Sequence, residues 1–273
     1  MKANIYLHLS LILLFLSFPI DGYSCTTFVL KNSSKQVFGR NYDWNLGDAL
    51  IMVNKRGCLK RSTNRPNEKG EKAIWAAKYG SVTFNQYGRE LPMGGMNEVG
   101  LVVEAMALSD TRYPEPDDRP YVGSALQWRQ YLLDTCATVA EVIDSDREIR
   151  ISNTTPGIGT HVLVLDRSGD RAAIEFLNGR MAIHTGDDLP VAVLTNDTYA
   201  RSLQYLRKDS SPIFDSYNSI QRFITAAKRN QDCQARTTNE LVDFAFGTLA
   251  SVASTRTQWR IVYDNTDMRV HFR

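Results

Sequence analysis

The apolar positions of the chain fall mostly into short runs rich in β-branched and aromatic side chains, which is the pattern of β-strands. Residues 26–30 and 36–40 are predicted to form a first hairpin, and residues 259–264 and 268–272 a last one. Asn178-Gly179 between two apolar runs predicts a further tight hairpin, because both residues tolerate a positive φ.

The other strands are predicted from the same pattern at residues 50–54, 73–77, 82–84, 101–107, 161–166, 172–177, 181–184 and 191–195. The run at 101–107 is mostly apolar, as expected for a strand that is buried on both faces. Polar or glycine-rich stretches predict a solvated surface loop at 55–72, a turn at 94–100 and a loop at 113–120.

Apolar residues recur at helical spacing in two other parts of the chain. Two helices are predicted within residues 123–143, with Thr138 as a cap between them. Further helices are predicted at about residues 219–228 and 238–249. This order of strand hairpins, helices and strand hairpins predicts one α+β domain with mainly antiparallel sheets.

The first 24 residues have the pattern of a secretory leader. Lys2 is followed by an apolar run at 11–18 and by the small residues Gly22 and Ser24. Removal of residues 1–24 leaves Cys25 as the first residue of a single domain at 25–273, and we expect this domain to be exported, either periplasmic or secreted. A lipid-anchored cysteine is an alternative, but the residues before Cys25 fit that pattern poorly.

Composition excludes several other classes of protein. A net charge of +2 gives no reason to expect a nucleic-acid partner, and the leader's apolar run is too short for a spanning helix, so we expect no stable membrane insertion after its removal. No metal-ligand cluster, phosphate loop or dinucleotide fingerprint is present, so we expect no metal and no cofactor. Cys25, Cys58, Cys136 and Cys233 are too few for a disulfide scaffold. If Cys25 is catalytic, at most one internal bridge remains, and its pairing is left open.

Candidate chemistry is concentrated at Cys25. A thiolate is the competent nucleophile, and a free α-amine, which titrates at about 7.7 to 8.0, would stand on the same residue as the thiol. Arg40 supplies a positive charge that favours the thiolate, and Asp43 accepts hydrogen bonds that hold the α-amine. Asn196, at the end of a predicted strand, offers an amide donor to an oxyanion.

Five motifs follow one another along the mature chain. They are Cys25-Thr26-Thr27 with Gly39-Arg40-Asn41-Tyr42-Asp43-Trp44, then Met96-Asn97-Glu98-x-Gly100-Leu101, Val193-Leu194-Thr195-Asn196, Arg222-Phe223 followed by Ala226-Ala227, and Ser254-Thr255-Arg256-Thr257. Together they resemble the choloylglycine hydrolase and penicillin V acylase family of N-terminal-nucleophile amidases. The resemblance covers almost all of the mature chain.

The resemblance implies a four-layer αββα sandwich and hydrolysis of a linear, non-peptide amide C–N bond. It implies that Arg222 is a charge in the active-site network. It also implies a second oxyanion donor, the backbone N–H of Ala107, in the substrate-binding part of the site. Family members commonly carry Asn or Tyr at this position, so Ala107 is a departure that keeps the backbone donor and loses a bulky side chain.

Alternatives stay open at this point. Cys25, His161 and Asn196 stand in the chain order of a papain-like cysteine protease, but the cysteine of such a protease opens a helix, whereas a strand is predicted here. His161 is therefore interpreted as structural. An exported binding protein with the same fold and no turnover is a further alternative.

The partner is predicted to be a small-molecule amide substrate. Bile-salt conjugates, phenoxyacyl penicillins and N-acyl homoserine lactones are all handled within the wider family, and the residues do not select one of them. Assembly is also left open, and a homo-oligomer is compatible with the sequence.

Overall fold

The structure is a computed structural model that describes residues 24–32, 35–154, 159–208 and 218–273. The strands of the described part are β1 Thr26–Lys31, β2 Gln36–Asp43, β3 Leu50–Asn54, β4 Leu59–Arg61, β5 Ile74–Ala76, β6 Ser81–Asn85, β7 Pro92–Asn97, β8 Val102–Ala107, β9 Tyr121–Val122, β10 Arg150–Ile151, β11 Thr160–Leu165, β12 Arg171–Leu177, β13 Arg180–Thr185, β14 Val193–Leu194, β15 Thr257–Asp264 and β16 Arg269–Phe272. The α-helices are α1 Ala125–Thr135, α2 Val139–Asp144, α3 Tyr199–Arg207, α4 Ser219–Gln231 and α5 Thr238–Ser251. The predicted leader at 1–24 lies outside the described residues except for Ser24.

Two antiparallel sheets form the centre of the molecule. The smaller has five strands in the order β14-β1-β2-β15-β16, so the first and last predicted hairpins lie side by side. The larger has seven strands in the order β13-β12-β11-β8-β7-β6-β3. Two short two-stranded ribbons, β4-β5 and β9-β10, lie outside these sheets.

The central strands of the larger sheet have an apolar layer on each side. Val102 and Met106 of β8 pack into the core shared with the smaller sheet, whereas Val103 and Ala105 pack on the other side with α1 and α2. This explains why residues 101–107 form an almost continuous apolar run, since both faces of the strand are buried.

Four layers result from this packing. Helices α4 and α5 cover the outer face of the smaller sheet, and α1 and α2 cover the outer face of the larger one. The predicted α+β sandwich with αββα layers is confirmed. Among the described helices, none is both long and apolar enough to cross a membrane.

Most predicted elements are confirmed, including the cap at Thr138, which begins α2 with a capping box, and the hairpin at Asn178-Gly179, whose φ angles are 53° and 75°. The loop predicted at 113–120 is also confirmed. Residues 33 and 34 of the first turn lie outside the described residues.

Three predictions are wrong in part. The polar stretch 55–72 contains β4, because Lys60 turns inward to a buried ion pair with Asp134 at 2.9 Å. Residues 94–97 belong to strand β7 rather than to a turn. The strand predicted at 191–195 is only Val193–Leu194, and helix α3, which follows it, was not predicted.

Candidate active site

Cys25 lies immediately before β1, between the neighbouring strands β2 and β14. It is only 4% exposed, and its side chain packs into the core between the two sheets. The thiol donates a weak hydrogen bond to the backbone carbonyl of Asp43, with 3.7 Å between sulfur and oxygen. The preceding residue, Ser24, is fully buried. The candidate nucleophile is therefore at the end of a strand in the middle of a sheet.

Arg222 on α4 joins the residues around Cys25 across the layers. It is fully buried, and its Nη1 donates to the carbonyl oxygen of Cys25 at 2.5 Å and to Oγ1 of Thr26 at 2.8 Å. Its Nη2 donates to Oδ1 of Asn196 at 3.0 Å. One guanidinium thus holds the start of β1 and the end of β14 in a fixed relation.

Asn196 lies level with Cys25 on the neighbouring strand. Leu194 pairs with Thr27 in an antiparallel register. Asn196, two residues after Leu194, therefore lies opposite Cys25, two residues before Thr27. The side-chain Nδ2 of Asn196 donates to the carbonyl oxygen of Ala107 at 2.9 Å, across the gap between the sheets. The predicted pair of oxyanion donors, Asn196 and Ala107, is therefore brought together.

Arg40 lies on the same side of the sheet as the cysteine. It pairs with Thr27 on β1, and Thr27 and Cys25, two residues apart, project from one face of the strand. Burial lowers the pKa of the Arg40 guanidinium, but the nearby Cys25 thiol and Glu104 carboxylate raise it more, and the net shift is upward. Arg40 is therefore a fixed positive charge beside the sulfur.

Asp43, at the end of β2, completes the predicted group. Burial raises the pKa of its carboxyl, and the neighbouring Thr257, Arg222 and Arg40 oppose only part of that rise. Asp43 thus brings a buried carboxyl group to the start of β1.

His161 is buried, and both of its ring nitrogens have structural partners. Its Nδ1 contacts Oε1 of Glu175 at 2.9 Å and its Nε2 contacts the carbonyl oxygen of Thr195 at 2.7 Å. Because both ring nitrogens are engaged, neither is available as a base for the thiol of Cys25. The residues after Cys25 form a strand rather than a helix, so the arrangement of a papain-like protease is absent from this part of the described structure.

The polar residues that support the site were not predicted from the sequence. Ser219 accepts a hydrogen bond from the backbone N–H of Asn196 at 2.8 Å, and Glu104 forms an ion pair with Arg40. Glu104 carried a recognisable signal, since it is the one charged residue in the apolar run 101–107. A charge in such a strand needs a buried partner.

The remaining cysteines are unpaired in the described structure. Cys58 is exposed, Cys233 is partly buried, and Cys136 is buried, which raises the pKa of its thiol to about 12. Among the described residues, no group of three or more His, Cys, Asp or Glu side chains is arranged to hold a metal ion.

The two antiparallel sheets between helical layers, with a cysteine at the head of a central strand, define the fold of the N-terminal-nucleophile hydrolases. The chain belongs to the linear amide C–N hydrolases of the choloylglycine hydrolase family, whose model matches residues 25–211. The resemblance found in the sequence motifs is thereby confirmed.

Individual relatives agree with this membership. A penicillin V acylase of Pectobacterium atrosepticum is 30% identical over an alignment of 193 residues, and the match covers 64% of this chain and 50% of the relative. The chain thus matches about half the length of that curated relative. The structure of a penicillin V acylase from Agrobacterium tumefaciens has a TM-score of 0.76 and 26% identity, and covers 91% of this chain and 82% of its own.

A more distant structure has the same fold. It is a variant of the conjugated bile acid hydrolase from Clostridium perfringens, with a TM-score of 0.72 and 18% identity over 91% of this chain and 88% of its own.

Proposed function

We propose that this protein hydrolyses linear amide C–N bonds of small molecules through a thioester on Cys25, after removal of residues 1–24. The observation that carries the proposal is the position of Asn196 beside Cys25, fixed by the contacts of Arg222 with both residues. Cys25 and the amide of Asn196 thus lie at the ends of adjacent strands, which supports a role in acyl transfer as nucleophile and oxyanion donor.

Cleavage at Cys25 supplies the base. The sulfur attacks the substrate carbonyl carbon, and the thiol proton passes to the free α-amine of the same residue. The C–N bond then breaks as the α-ammonium group returns that proton to the leaving nitrogen. Water attacks the resulting thioester and gives one proton to the α-amine. The acid departs as the C–S bond breaks, and the proton returns to the sulfur.

The charge that develops on the carbonyl oxygen meets two donors. The amide of Asn196 has two N–H groups, and one already donates to the carbonyl of Ala107, so the other remains for the oxyanion. The backbone N–H of Ala107 is the second donor. One such donor contributes typically about 2.7 to 4 kcal/mol to transition-state stabilisation.

The charged residues serve the nucleophile. Arg40 stabilises the thiolate electrostatically, and Asp43 accepts a hydrogen bond from the α-ammonium group and holds it beside the sulfur. Arg222 orients the amide of Asn196 by donating to its oxygen, which turns the N–H groups toward Ala107.

Penicillin V is the first substrate to test, because the two relatives of higher identity are penicillin V acylases. Conjugated bile acids and N-acyl homoserine lactones complete the panel. Ala107 leaves space where a larger side chain would narrow the site, so bulky acyl groups belong in the panel as well.

The experiment has two stages. The intact mass of the exported protein is measured first, and a mature chain that begins at Cys25 is expected. The panel is then scored by release of the amine, for the mature protein and for a variant with one alanine inserted before Cys25. Turnover that is lost on insertion supports the proposal. Full activity of the extended variant, or no turnover of any amide by the mature chain, contradicts it.

A further inference from the structure

Glu104 is a buried carboxylate between the two sheets. It is 1% exposed and lies on β8 between Val102 and Met106, whose side chains project into the core shared with the smaller sheet. Residues two apart on a strand project from the same face, so Glu104 points at the sheet that carries Cys25.

Two residues of the smaller sheet meet this carboxylate. Its Oε2 lies 3.2 Å from Nε of Arg40 on β2, and its Oε1 accepts a hydrogen bond of 2.5 Å from the hydroxyl of Tyr263 on β15. Each oxygen therefore has its own partner. The carboxylate is held in position, and it holds the arginine in turn.

The larger sheet is shaped to admit this side chain. Gly94 on β7 pairs with Glu104, and a Cβ atom at Gly94 would lie 2.1 Å from the carboxyl group. Any side chain at that position would displace Glu104. The glycine that appeared to belong to a turn thus leaves room for a charge.

The ion pair engages only one end of the guanidinium. Nε meets Glu104 as an ion pair without hydrogen-bond geometry, and Nη1 and Nη2 are likewise buried and make no hydrogen bond to any of the described residues. A buried ion pair is by itself weak evidence for a stabilising role, because apolar residues of similar volume often serve as well. The two unengaged nitrogens beside a thiol indicate another role.

We propose that Glu104 is a positioning residue that holds Arg40 through Nε and so keeps Nη1 and Nη2 available to the thiolate of Cys25. This inference rests on the proposed function, in which Cys25 is the nucleophile. Tyr263 on β15 holds the second oxygen of Glu104 by a hydrogen bond and so helps to keep the carboxylate in place.

Several other charged or titratable groups act on Arg40. Tyr42 and Asp43 lie on the same strand, with the Tyr42 ring 5.5 Å from the guanidinium carbon. Arg129 of α1 adds a second buried positive charge on the side of the larger sheet. Glu104 is the only carboxylate that forms an ion pair with Arg40 among the described residues.

Removing the charge of Glu104 has two opposite consequences. The loss of a nearby negative charge alone would favour the thiolate, and the pH midpoint of thiol reactivity would fall. The loss of the contact that orients Arg40 disfavours the thiolate, and the midpoint would rise. A positioning role requires the second consequence to dominate.

The test uses the mature protein and the thiol reagent iodoacetamide. Alkylation rates of individual cysteines are measured by peptide mass spectrometry from about pH 5 to about pH 10, a range that spans the ionisation of ordinary thiols. The exposed Cys58 is the internal reference. We expect Glu104→Gln to raise the midpoint for Cys25 by about one pH unit, a tenfold lower rate at neutral pH, and to leave Cys58 unchanged.

A double-mutant cycle tests whether Glu104 acts on the thiol of Cys25 through Arg40. In an Arg40→Gln background, Glu104→Gln should cause no further shift, because the residue through which it acts is absent. An unchanged midpoint in the single variant, a shift to lower pH, or a shift that persists without Arg40 would each overturn the proposal.

A second variant protects the test against misfolding. Tyr263→Phe keeps both charges and frees one oxygen of Glu104, so a smaller shift in the same direction is expected. If Glu104→Gln does not fold, an unshifted Tyr263→Phe protein overturns the proposal. Wild-type alkylation of Cys25 that leaves turnover intact refutes the proposed function instead, so the two failures are distinguishable.

Discussion

Nη2 of Arg222 donates a hydrogen bond to Oδ1 of Asn196 at 3.0 Å. This contact assigns the two ends of the amide, since a guanidinium has only donors and must face the oxygen. The nitrogen consequently faces Ala107. The orientation that the proposed oxyanion donor requires is therefore set by Arg222 on helix α4, which lies 26 residues further along the chain.

Asn196 provides the first prediction. Asn196→Asp keeps an acceptor for Arg222 but removes the N–H donors, and it should lower kcat by about 100- to 1,000-fold with little change in KM. Steady-state kinetics on the best amide of the panel measure this. A change confined to KM would contradict the oxyanion role of Asn196.

Cys25 provides the second prediction. Cys25→Ala should abolish turnover and leave the fold intact, because the side chain is small and alanine fits the same space. The matched control is Cys58→Ala at an exposed cysteine, which should keep full activity. Circular dichroism of both variants verifies folding, and comparable activity in the two variants would exclude a thioester on Cys25.

The third prediction concerns stability in acid. Burial would raise the pKa of the Glu175 carboxyl, but hydrogen bonds from His161 and His184 outweigh burial and lower it from 4.5 to about 2. A lowered pKa in the folded state adds stability that is present above pH 4.5 and is lost as the pH falls towards 2. The shift corresponds to roughly 3 kcal/mol.

Urea unfolding of the wild type and of Glu175→Gln at several pH values measures this contribution. The advantage of the wild type in free energy of unfolding should shrink as the pH falls below 4.5. A difference between the two proteins that stays constant down to the lowest pH at which they fold would show that Glu175 does not titrate in this way.

Two glycines provide a fourth prediction with opposite signs. A Cβ atom at Gly39 on β2 would lie 2.5 Å from the ring of Phe28 on β1, so Gly39→Ala should destabilise the protein by about 1–3 kcal/mol. Gly247 is exposed on α5 with only the tip of Arg229 within 4 Å, so Gly247→Ala should stabilise it by about 0.5–1 kcal/mol. Thermal unfolding of the two variants tests both signs, and equal effects would refute the packing described around β1.

The local sequence pattern was sufficient to predict most strands and helices of the sandwich. The short apolar runs predicted strands because period and composition are local properties, and α4 and α5 were predicted from their apolar spacing. Helix α3 was not, because its nine residues give only about two and a half turns of periodic pattern, and the strand before it was predicted over 191–195 although β14 is only Val193–Leu194. Tertiary packing rather than sequence pattern sets that boundary.

The site residues that the family motifs identify could be predicted from the sequence. Cys25, Arg40, Asp43, Asn196, Ala107 and Arg222 were selected from family motifs, and the structure brings them together. The partners of Glu104 were not predictable, since no local pattern shows which strand of another sheet lies opposite. Gly94 illustrates the same limit, because its glycine was attributed to a turn although its place in β7 makes room for a carboxylate.

The two halves of the candidate site differ in how far apart their residues lie along the chain. Cys25 and Asp43 are only 18 residues apart and belong to one hairpin, whereas Arg222 and the carbonyl of Cys25 are separated by 197 residues. Contacts over such a distance form late, because a long loop must close first. During refolding, catalytic activity should therefore return with the last docking event, after the hairpin that carries the thiol has already formed.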